Sequence, residues 1–588
     1  MLSTDDEQLK KLGYSQQLFR GFNGFMSFAF CFTSVAVLSS LSVAWPSAMN
    51  AGGPAVLIWG WVICGVFTNI VGCAMGEVCS AYPSAGSVYH WTAMLAPEKS
   101  HRLAAYICGI FNFVGNVAGD AGFAFGFASV ISSARLYGNG WDEFTKSCVT
   151  NSTGDCIVVD YTNNERVGIA IAVCVAWTLL NYLRVDQQGW FNSFAAVFHI
   201  ASIVAIVVCV VSMTTKDPDV PTSWAWSTYY NGTGVDDKYM GYVLLIGLLQ
   251  SLFAFSGYEA GAHMAEETRN AAVSSPWGLI ATTACTAIVG FIYIVGVSFA
   301  STSTMPLSYA KWAATNTDDP DLSVGEYLWT AIDNVSSADS IAYVFFSACG
   351  SKTGLALTVL VIINLFFAGI SSLTVTSRIA FALARDKAFP FSETFAYVTP
   401  GTKAPLGGVL LTLGCDILMI LLGLVSSSAI FAILSVCVIG YQISYAIPIL
   451  IRAFAGDAFP KDTQFSLGRA GPYVAGVGAF WLISTSTIFF WPPSLPVKVV
   501  GTTVDGEKVA ITDDNFNCAS RYRETAYARN VEPPSHNYPP PPPLHHRLHI
   551  RTRAIQTPHR DCRGRRGVLH RLRSVVVRAR EARVRVTS

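Results

Sequence analysis

The sequence is short of charge. Only 13% of its 588 residues are Asp, Glu, Lys or Arg, whereas 52% are apolar. A soluble domain carries roughly 25% charged residues, so the composition argues against a soluble protein of this size. Long apolar runs recur along the chain, which is typical of a protein that crosses a membrane many times. We therefore expect an all-α polytopic membrane protein in contact with the lipid bilayer.

Sequence motifs of metal binding and enzymatic catalysis are also missing. The fifteen cysteines form no CxxC pair, and there is no metal-ligand cluster, nucleophile elbow or phosphate-binding loop. The sequence therefore predicts no metal, no cofactor and no enzymatic activity, and it gives no reason to expect a nucleic-acid partner. Residues 1–20 are polar and lack the short apolar core of a secretory signal. We expect the first span to insert unprocessed.

Runs of about 20 apolar residues can cross a bilayer, and the pattern predicts eleven of them. They lie at 24–46, 55–80, 103–136, 167–184, 190–213, 241–265, 277–300, 354–384, 405–424, 427–451 and 472–491.

The distribution of charge in the loops predicts the orientation. Lys and Arg concentrate in one set of loops, which includes Arg20, Arg102 and Arg269, whereas the opposite set holds mainly acids such as Asp236 and Asp318. Loops rich in Lys and Arg stay in the cytoplasm. The N-terminus is therefore predicted to be cytoplasmic.

Three glycosylation sequons agree with this topology. Asn151, Asn231 and Asn334 begin Asn-x-Ser/Thr motifs, and all three fall in loops that the charge pattern places outside. Cys148 and Cys156 flank Asn151 in one of these loops. An oxidising compartment would allow a disulfide between them.

The stretch 250–268 interrupts a long apolar run. It places Ser256, Gly257, Tyr258 and Glu259 in the middle of the sixth predicted span. A carboxylate at membrane depth normally faces a protein interior or a watery cavity, and glycine lets the backbone leave helical geometry. A broken helix is tolerated in a membrane only where it is buried or lines such a cavity. We interpret the stretch as half of a transport site.

The first span is the expected partner of the sixth. Spans 1–5 and 6–10 can be related by inverted topology, because five spans reverse the direction of the second copy. This predicts a second interruption within residues 30–40, where Thr33 and Ser34 adjoin Val35 and Ala36. Hydroxyl side chains can satisfy the backbone groups that a break frees. The alternative is an unbroken helix whose Ser and Thr side chains bond back to their own turn.

Two other polar residues leave alternatives open. Glu77 ends the second span and either pairs with a cytoplasmic arginine, such as Arg378 or Arg385, or is a solvated helix end. His199 shares a face of the fifth span with Asn192, seven residues earlier. An intramembrane histidine is either a satisfied packing residue or a proton carrier, and packing is the interpretation we favour.

Four ordered motifs resemble a known family. EVCSAYPSAGSVYHW follows the second span, GYEAGAHMAEETRNA forms part of the sixth, and SRIAFALARDKAFPFS and YAIPILIR belong to the eighth and tenth. Together they resemble the amino acid–polyamine–organocation permeases, in the fungal and bacterial branch for amino acids, GABA and choline. That branch has aspartate more often than glutamate at position 259. The likeness covers roughly residues 12–517.

The resemblance implies a five-plus-five inverted-repeat (LeuT-like) fold with discontinuous helices 1 and 6. It places the substrate between the two breaks and makes the proton the coupling ion. The implied substrate-binding residues are Thr33, Ser34, Val35, Ala36, Phe255, Ser256, Gly257, Tyr258 and Glu259. Glu259 is either a charge partner for a cationic substrate group, and then a candidate for proton linkage, or a structural acid bonded to the unwound backbone.

The end of the chain departs from the family. A twelfth helix is expected after residue 517, but residues 518–588 hold a proline run and many arginines. We interpret this tail as a misread gene end; the alternative is a disordered basic tail that binds anionic lipid or nucleic acid. The predicted domains are a cytoplasmic segment 1–21, a transporter domain 22–517 and this tail.

The leading functional hypothesis is a secondary active permease that imports an amino acid or a related amine such as GABA, choline or a polyamine. A nutrient receptor built on a permease scaffold is the alternative from another class. Plasma membrane is the expected location, with the vacuolar membrane as the alternative.

Overall fold

We describe a computed structural model of the chain. The described residues are 9–10, 12–138, 161–183, 185–214, 220–233, 235, 237–304, 327–328, 330–332, 335, 340–424, 429–460 and 463–490. Asn151, Asn334, Cys148 and Cys156 lie outside them, as does the whole tail 518–588. The predictions for these residues, and the predicted domain boundary at 517, stay predictions.

Each of the eleven predicted spans corresponds to a helix, and the first and sixth are divided. The helices are α1a (Gly24–Val35), α1b (Val37–Asn50), α2 (Gly53–Ala81), α3 (His101–Gly138), α4 (Asn163–Leu180), α5 (Val185–Met213), α6a (Met240–Ala254), α6b (Ala260–His263), α7 (Ala271–Ala300), α8 (Ala342–Arg385), α9 (Leu406–Leu421), α10 (Ala429–Phe454) and α11 (Gly471–Phe489). Within the described ranges there is no β-sheet, so the fold class is all-α as predicted.

Length and composition support membrane crossing for most of these helices. Nine helical segments of the described chain are long and apolar enough to span a bilayer, and α6a is a shorter apolar helix. In α8, Gly350 has non-helical backbone angles, with φ +73° and ψ +173°. The uninterrupted part of α8 therefore begins after Gly350, close to the predicted start of the eighth span at residue 354.

The lipid-facing and protein-facing sides of α5 are clearly separated. Large apolar side chains, among them Trp190, Phe194 and Val208, are exposed on one side, as expected where lipid replaces water. Asn192 and His199 are both buried, as their shared face on a helix predicts. These two polar residues therefore point into the protein.

Helices of spans 1–5 pack against helices of spans 6–10. Three of the most extensive helix contacts join α3 to α8, α3 to α10 and α2 to α7. Two of these pairs, α2 with α7 and α3 with α8, are at equivalent places in spans 1–5 and 6–10. This arrangement is that of the five-plus-five LeuT-like fold, and it encloses the divided helices α1 and α6.

Candidate substrate-binding site

The two helix breaks are each made by very few residues. Ala36 alone separates α1a from α1b, with left-handed backbone angles of φ +47° and ψ +57°. In the sixth span the helix stops at Ala254 and resumes at Ala260, and Gly257 between them has φ +83°. Both predicted interruptions are therefore present.

The breaks lie next to each other in space. A Cβ atom placed on Gly257 would be 4.0 Å from Ser34 Oγ and 3.5 Å from Tyr441 Oη. Eight of the nine predicted substrate-binding residues are buried, and Ser256 is half-buried. The structure thus brings the segments 33–36 and 255–259 together inside the helix bundle, close to α10.

His199 holds the break in α1. Its Nε2 accepts a hydrogen bond of 3.0 Å from the backbone N–H of Leu38, one of the groups that a helix start leaves without an intrahelical partner. The ring also packs edge-on against Phe32, with centroids 5.3 Å apart. These contacts support the packing interpretation of His199, because a proton on Nε2 would abolish the bond to Leu38.

Hydroxyl groups satisfy carbonyls around the same break. Ser40 Oγ donates to the carbonyl of Val35, the last residue of α1a, at 2.9 Å. Thr33 bonds back to the carbonyl of Ala29 at 2.8 Å and also lies 3.3 Å from the carbonyl of Asn192. Ser40 therefore fills the role predicted for hydroxyls at a break, whereas Thr33 bonds to its own turn as well as to α5.

The break in α6 is tied to α1a and α10. The N–H of Gly257 donates to the Tyr445 hydroxyl at 3.2 Å, and the N–H of Gly261 donates to Cys31 Sγ at 3.0 Å. Both donors are backbone groups that an unbroken helix would satisfy internally. The unwound segment is thus held by side chains of its neighbours.

Glu259 is fully buried and its carboxylate already has partners. Tyr445 donates to one carboxylate oxygen, and Asn112 Nδ2 donates to the other at 3.2 Å. His263 Nε2 lies 3.9 Å from the same side chain. The carboxylate therefore links α6 to α3 and α10, and the side chains it meets on those helices were not anticipated from the sequence.

Two of the predicted substrate-binding residues, Phe255 and Tyr258, are aromatic, and both pack against aromatic side chains of other helices. Phe255 stacks on Trp61 of α2 with ring centroids 4.3 Å apart, and Tyr258 lies 5.1 Å from the ring of Tyr445. A cation–π role needs a free ring face toward the ligand. For Phe255, the stacked Trp61 covers one of its two faces.

Sequence reasoning missed the polar residues of α3 and α10 in this region. Asn112 and Asn116 are four residues apart and buried on α3, and Asn116 accepts a 2.8 Å hydrogen bond from Tyr441. The signal was the recurrence of polar residues every four positions in an apolar run, which places them on one helix face. Tyr441 and Tyr445 share the same spacing on α10.

Glu77 pairs with an arginine, as one alternative predicted, but the two arginines named for it were wrong. Glu77 is buried and pairs with Arg452 of α10 at 2.9 Å, so neither the pairing with Arg378 or Arg385 nor the solvated helix end holds. The cause is the tertiary packing of α2 against α10, which loop charge alone does not reveal.

Arg378 and Arg385 pair instead with the chain after α6b. Arg378 Nε lies 3.0 Å from Glu267, and Arg385 forms two hydrogen bonds of 3.0 and 3.1 Å with Glu266. Both glutamates are buried. These ion pairs tie the end of α8 to the end of the sixth span.

The segment before α1 covers these ion pairs. The Tyr14 hydroxyl donates to Asp386 at 2.9 Å and lies 3.3 Å from His90 Nδ1, while the Arg385 guanidinium stacks 4.0 Å over the Tyr14 ring. Burial, and to a lesser extent the positive charge of Arg385, lower the pKa of His90 to about 4. The imidazole is therefore held neutral beside the arginine.

The start of α1 is joined to the end of the sixth span. The N–H of Phe22 donates to the carbonyl of Glu267, and the N–H of Arg269 donates to the carbonyl of Phe22, both at 3.0 Å. If α1a moves relative to α6b, either these two hydrogen bonds break or the two paired segments move together.

Of the three predicted glycosylation residues, Asn231 is described. Its side-chain amide donates to the carbonyl of Val235 at 2.7 Å, and its oxygen accepts from the Thr233 hydroxyl at 2.7 Å. The asparagine is half-buried and forms an isolated antiparallel bridge with Ala51. Its glycosylation stays a prediction.

Comparison with known proteins agrees with this geometry. A family model described as amino acid permease matches residues 22–504. Amino-acid permease BAT1 of Arabidopsis thaliana is 30% identical over 504 residues, which is 84% of this chain and 90% of that protein. Amino-acid permease 2 of Neurospora crassa is 26% identical over 493 residues, covering 84% of this chain and 82% of that protein. The chain belongs to the amino acid permease family and is a multi-pass membrane transporter, not an enzyme.

Proposed function

We propose that this permease imports an amino acid, held between the breaks of α1 and α6, by alternating access. The observation that carries the proposal is the juxtaposition of Ser34 with Gly257, in two buried interruptions of otherwise apolar helices. Interrupted helices place backbone dipoles where a small charged solute can meet them. The Arabidopsis and Neurospora relatives are named amino-acid permeases, which supports the same substrate class.

The electrostatics of the breaks favour a zwitterion. The first turn of α1b begins at Val37 and carries the positive end of a helix dipole, which suits a carboxylate. The C-terminal ends of α1a and α6a, at Val35 and Ala254, carry negative ends that suit an ammonium group. An α-amino acid presents both charges within one small group, whereas choline lacks the carboxylate.

The contacts of Glu259 favour its structural role in this proposal. With Tyr445 and Asn112 on its two oxygens, the carboxylate would have to give up hydrogen bonds to receive a substrate cation. Polyamines, which require an additional negative partner for each charge, are therefore poorer candidates than amino acids.

Proton coupling, a cytoplasmic N-terminus and a plasma-membrane location complete the proposal. The ion pairs of Arg378 and Arg385 then close the cytoplasmic end of the transport path. Proton coupling requires a group that gains and loses a proton during the cycle, and the location follows from the importing role.

Uptake by purified protein in liposomes tests the proposal. With an inward proton gradient, one or more labelled amino acids should accumulate, and GABA, choline and polyamines form the rest of the panel. Liposomes treated with a protonophore are the control. Uptake of none of these solutes would contradict the proposal, and tight amino acid binding without uptake would favour the receptor hypothesis.

A further inference from the structure

The polar face of α3 continues beyond the substrate site. Asn112, Asn116 and Asp120 follow each other at intervals of four residues and are all at most 1% exposed, so they share one helix face. Asn112 bonds to Glu259 of α6, and Asn116 bonds to Tyr441 of α10. The third residue of this face, Asp120, lies near another acidic residue.

Asp416 of α9 is that acid. Asp120 and Asp416 are both 0% exposed, α3 packs against α9, and the two carboxyl groups interact electrostatically. None of their four oxygens has a hydrogen-bond partner among the described residues. An unpartnered buried carboxylate costs several kcal/mol, so this arrangement requires an explanation.

The surroundings of the pair offer no positive charge. Ser372 and Thr376 of α8 lie near Asp120, but their hydroxyls make no hydrogen bond of normal geometry to its oxygens. The other titratable neighbours are Cys174, Cys415, Cys437 and Tyr441, from α4, α9 and α10. In the described part of the chain, no Lys, Arg or His forms an ion pair with either aspartate.

Two negative charges cannot coexist in this place. Neither carboxyl group is in contact with bulk solvent, like charges repel strongly at low dielectric, and no Lys, Arg or His of the described ranges compensates them. A proton bound to either carboxyl group would remove one of the two buried charges. We propose that Asp120 and Asp416 form a proton-binding site, and that the proton bound there is the one that drives transport.

The second part of the proposal rests on the proposed function. Tyr441 connects the two sites, because it bonds to Asn116, lies 3.7 Å from a Cβ placed on Gly119, and lies 3.5 Å from one placed on Gly257. A change of charge at Asp120 therefore acts on groups that contact the α6 break. The polar face of α3 is the physical link between proton and substrate.

Infrared difference spectra of the purified wild-type protein test proton binding without any substrate. Acidification should raise a carbonyl-stretch band of a protonated carboxyl group in an apolar environment. The band should be lost in both Asp120→Asn and Asp416→Asn, which mimic the protonated acid in size and neutrality. Ser133→Ala, at another fully buried position of α3 whose hydroxyl has no partner in the described part of the chain, should leave the band unchanged.

Uptake measurements test the coupling. In Asp120→Asn and Asp416→Asn, a proton gradient should no longer drive accumulation, so the substrate concentration inside the liposomes should not exceed the concentration outside. Exchange of labelled for unlabelled substrate across the membrane should persist. Ser133→Ala should retain both activities. If the asparagine variants do not fold, the pH dependence of the wild-type band, measured with and without substrate, still shows whether a buried carboxyl group binds a proton and whether substrate affects that binding.

The outcomes separate the two hypotheses. A band that survives in both asparagine variants, a band that is present at every pH, or transport that requires sodium and ignores pH would overturn the proton site. If the wild type transports none of the solutes but its band responds to pH and to the variants, the proposed function fails and proton binding by the pair stands.

Discussion

At the scale of single residues, Glu259 accepts hydrogen bonds from Tyr445 and Asn112, which favours the structural one of its two predicted roles. The acid lies in an apolar run, where only a protein partner or a cavity makes it tolerable. Its hydrogen bonds connect the unwound part of α6 to α3 and α10.

Substitution of Glu259 should therefore act on stability. Glu259→Ala removes the acceptor for two buried donors and is expected to lower the free energy of unfolding by about 2–4 kcal/mol, measured by denaturation in mixed micelles. Glu259→Gln keeps an acceptor and should cost less. A large loss of substrate affinity in Glu259→Gln, with stability unchanged, would contradict this assignment.

His199 should act as a hydrogen-bond acceptor. His199→Gln can still accept the N–H of Leu38 but cannot carry a proton at physiological pH, so it should retain most proton-driven uptake. His199→Leu leaves the N–H unpaired, at a cost of about 1–3 kcal/mol, and should lose uptake. Equal loss of uptake in both variants, with normal protein levels, would instead favour proton linkage at His199.

At the scale of the helix, the interruption of α6 depends on glycine. Gly257 has φ +83°, a conformation that residues with a Cβ adopt at a cost of about 1–2 kcal/mol. A Cβ there would meet Tyr441 Oη at 3.5 Å, an ordinary contact, so the backbone conformation and not a collision is the constraint.

Gly257→Ala should consequently lower both stability and uptake. We expect a stability loss of about 1–2 kcal/mol and a clear reduction of the uptake rate in liposomes. Gly414→Ala is the matched control, because this glycine lies in α9 with nothing within 4 Å of its added Cβ, and alanine favours helix. Wild-type uptake in Gly257→Ala would show that the break tolerates ordinary residues.

At the scale of the whole molecule, buried ion pairs join elements that are far apart in the chain. Arg378 of α8 and Glu267 after α6b are 1% and 2% exposed. Removing one partner of such a pair leaves an uncompensated buried charge, whereas replacing both partners is often tolerated.

A double-mutant cycle should reveal this dependence. Arg378→Met or Glu267→Gln alone is expected to lower the free energy of unfolding by about 3–5 kcal/mol, and the double variant should recover much of that loss. The measurement is denaturation of all four proteins in the same detergent. Additive losses would mean that the pair contributes no interaction energy.

The stability of the packed N-terminal segment should depend on pH through His90. Its pKa is about 4 in the folded protein and 6.5 when unperturbed, so the unfolded state binds a proton first as pH falls. Stability is therefore full above pH 6.5 and declines toward pH 4, by about 3 kcal/mol for this group. Thermal unfolding across this range should show the decline, and His90→Gln should reduce it. An unchanged slope in His90→Gln would assign it to other groups.

The sequence by itself determined the helices and the places where two of them break. Apolar runs of about 20 residues permit little besides membrane helices, and a glycine beside an acid in such a run marks an interruption. The helices and their breaks are local or periodic properties, which a sequence displays directly. The five-plus-five arrangement and the juxtaposition of residues 33–36 with 255–259 were implied by the resemblance of four motifs to a known family.

Tertiary structure alone decided the partners of the buried polar groups. Loop charges suggested Arg378 or Arg385 for Glu77, but the packing of α2 against α10 brought Arg452 to it. His199 accepts a hydrogen bond from Leu38, 161 positions away, and Asn112 donates one to Glu259, 147 positions away. The choice depends on which helix faces meet, because every buried polar group favours whichever complementary group lies nearest in space.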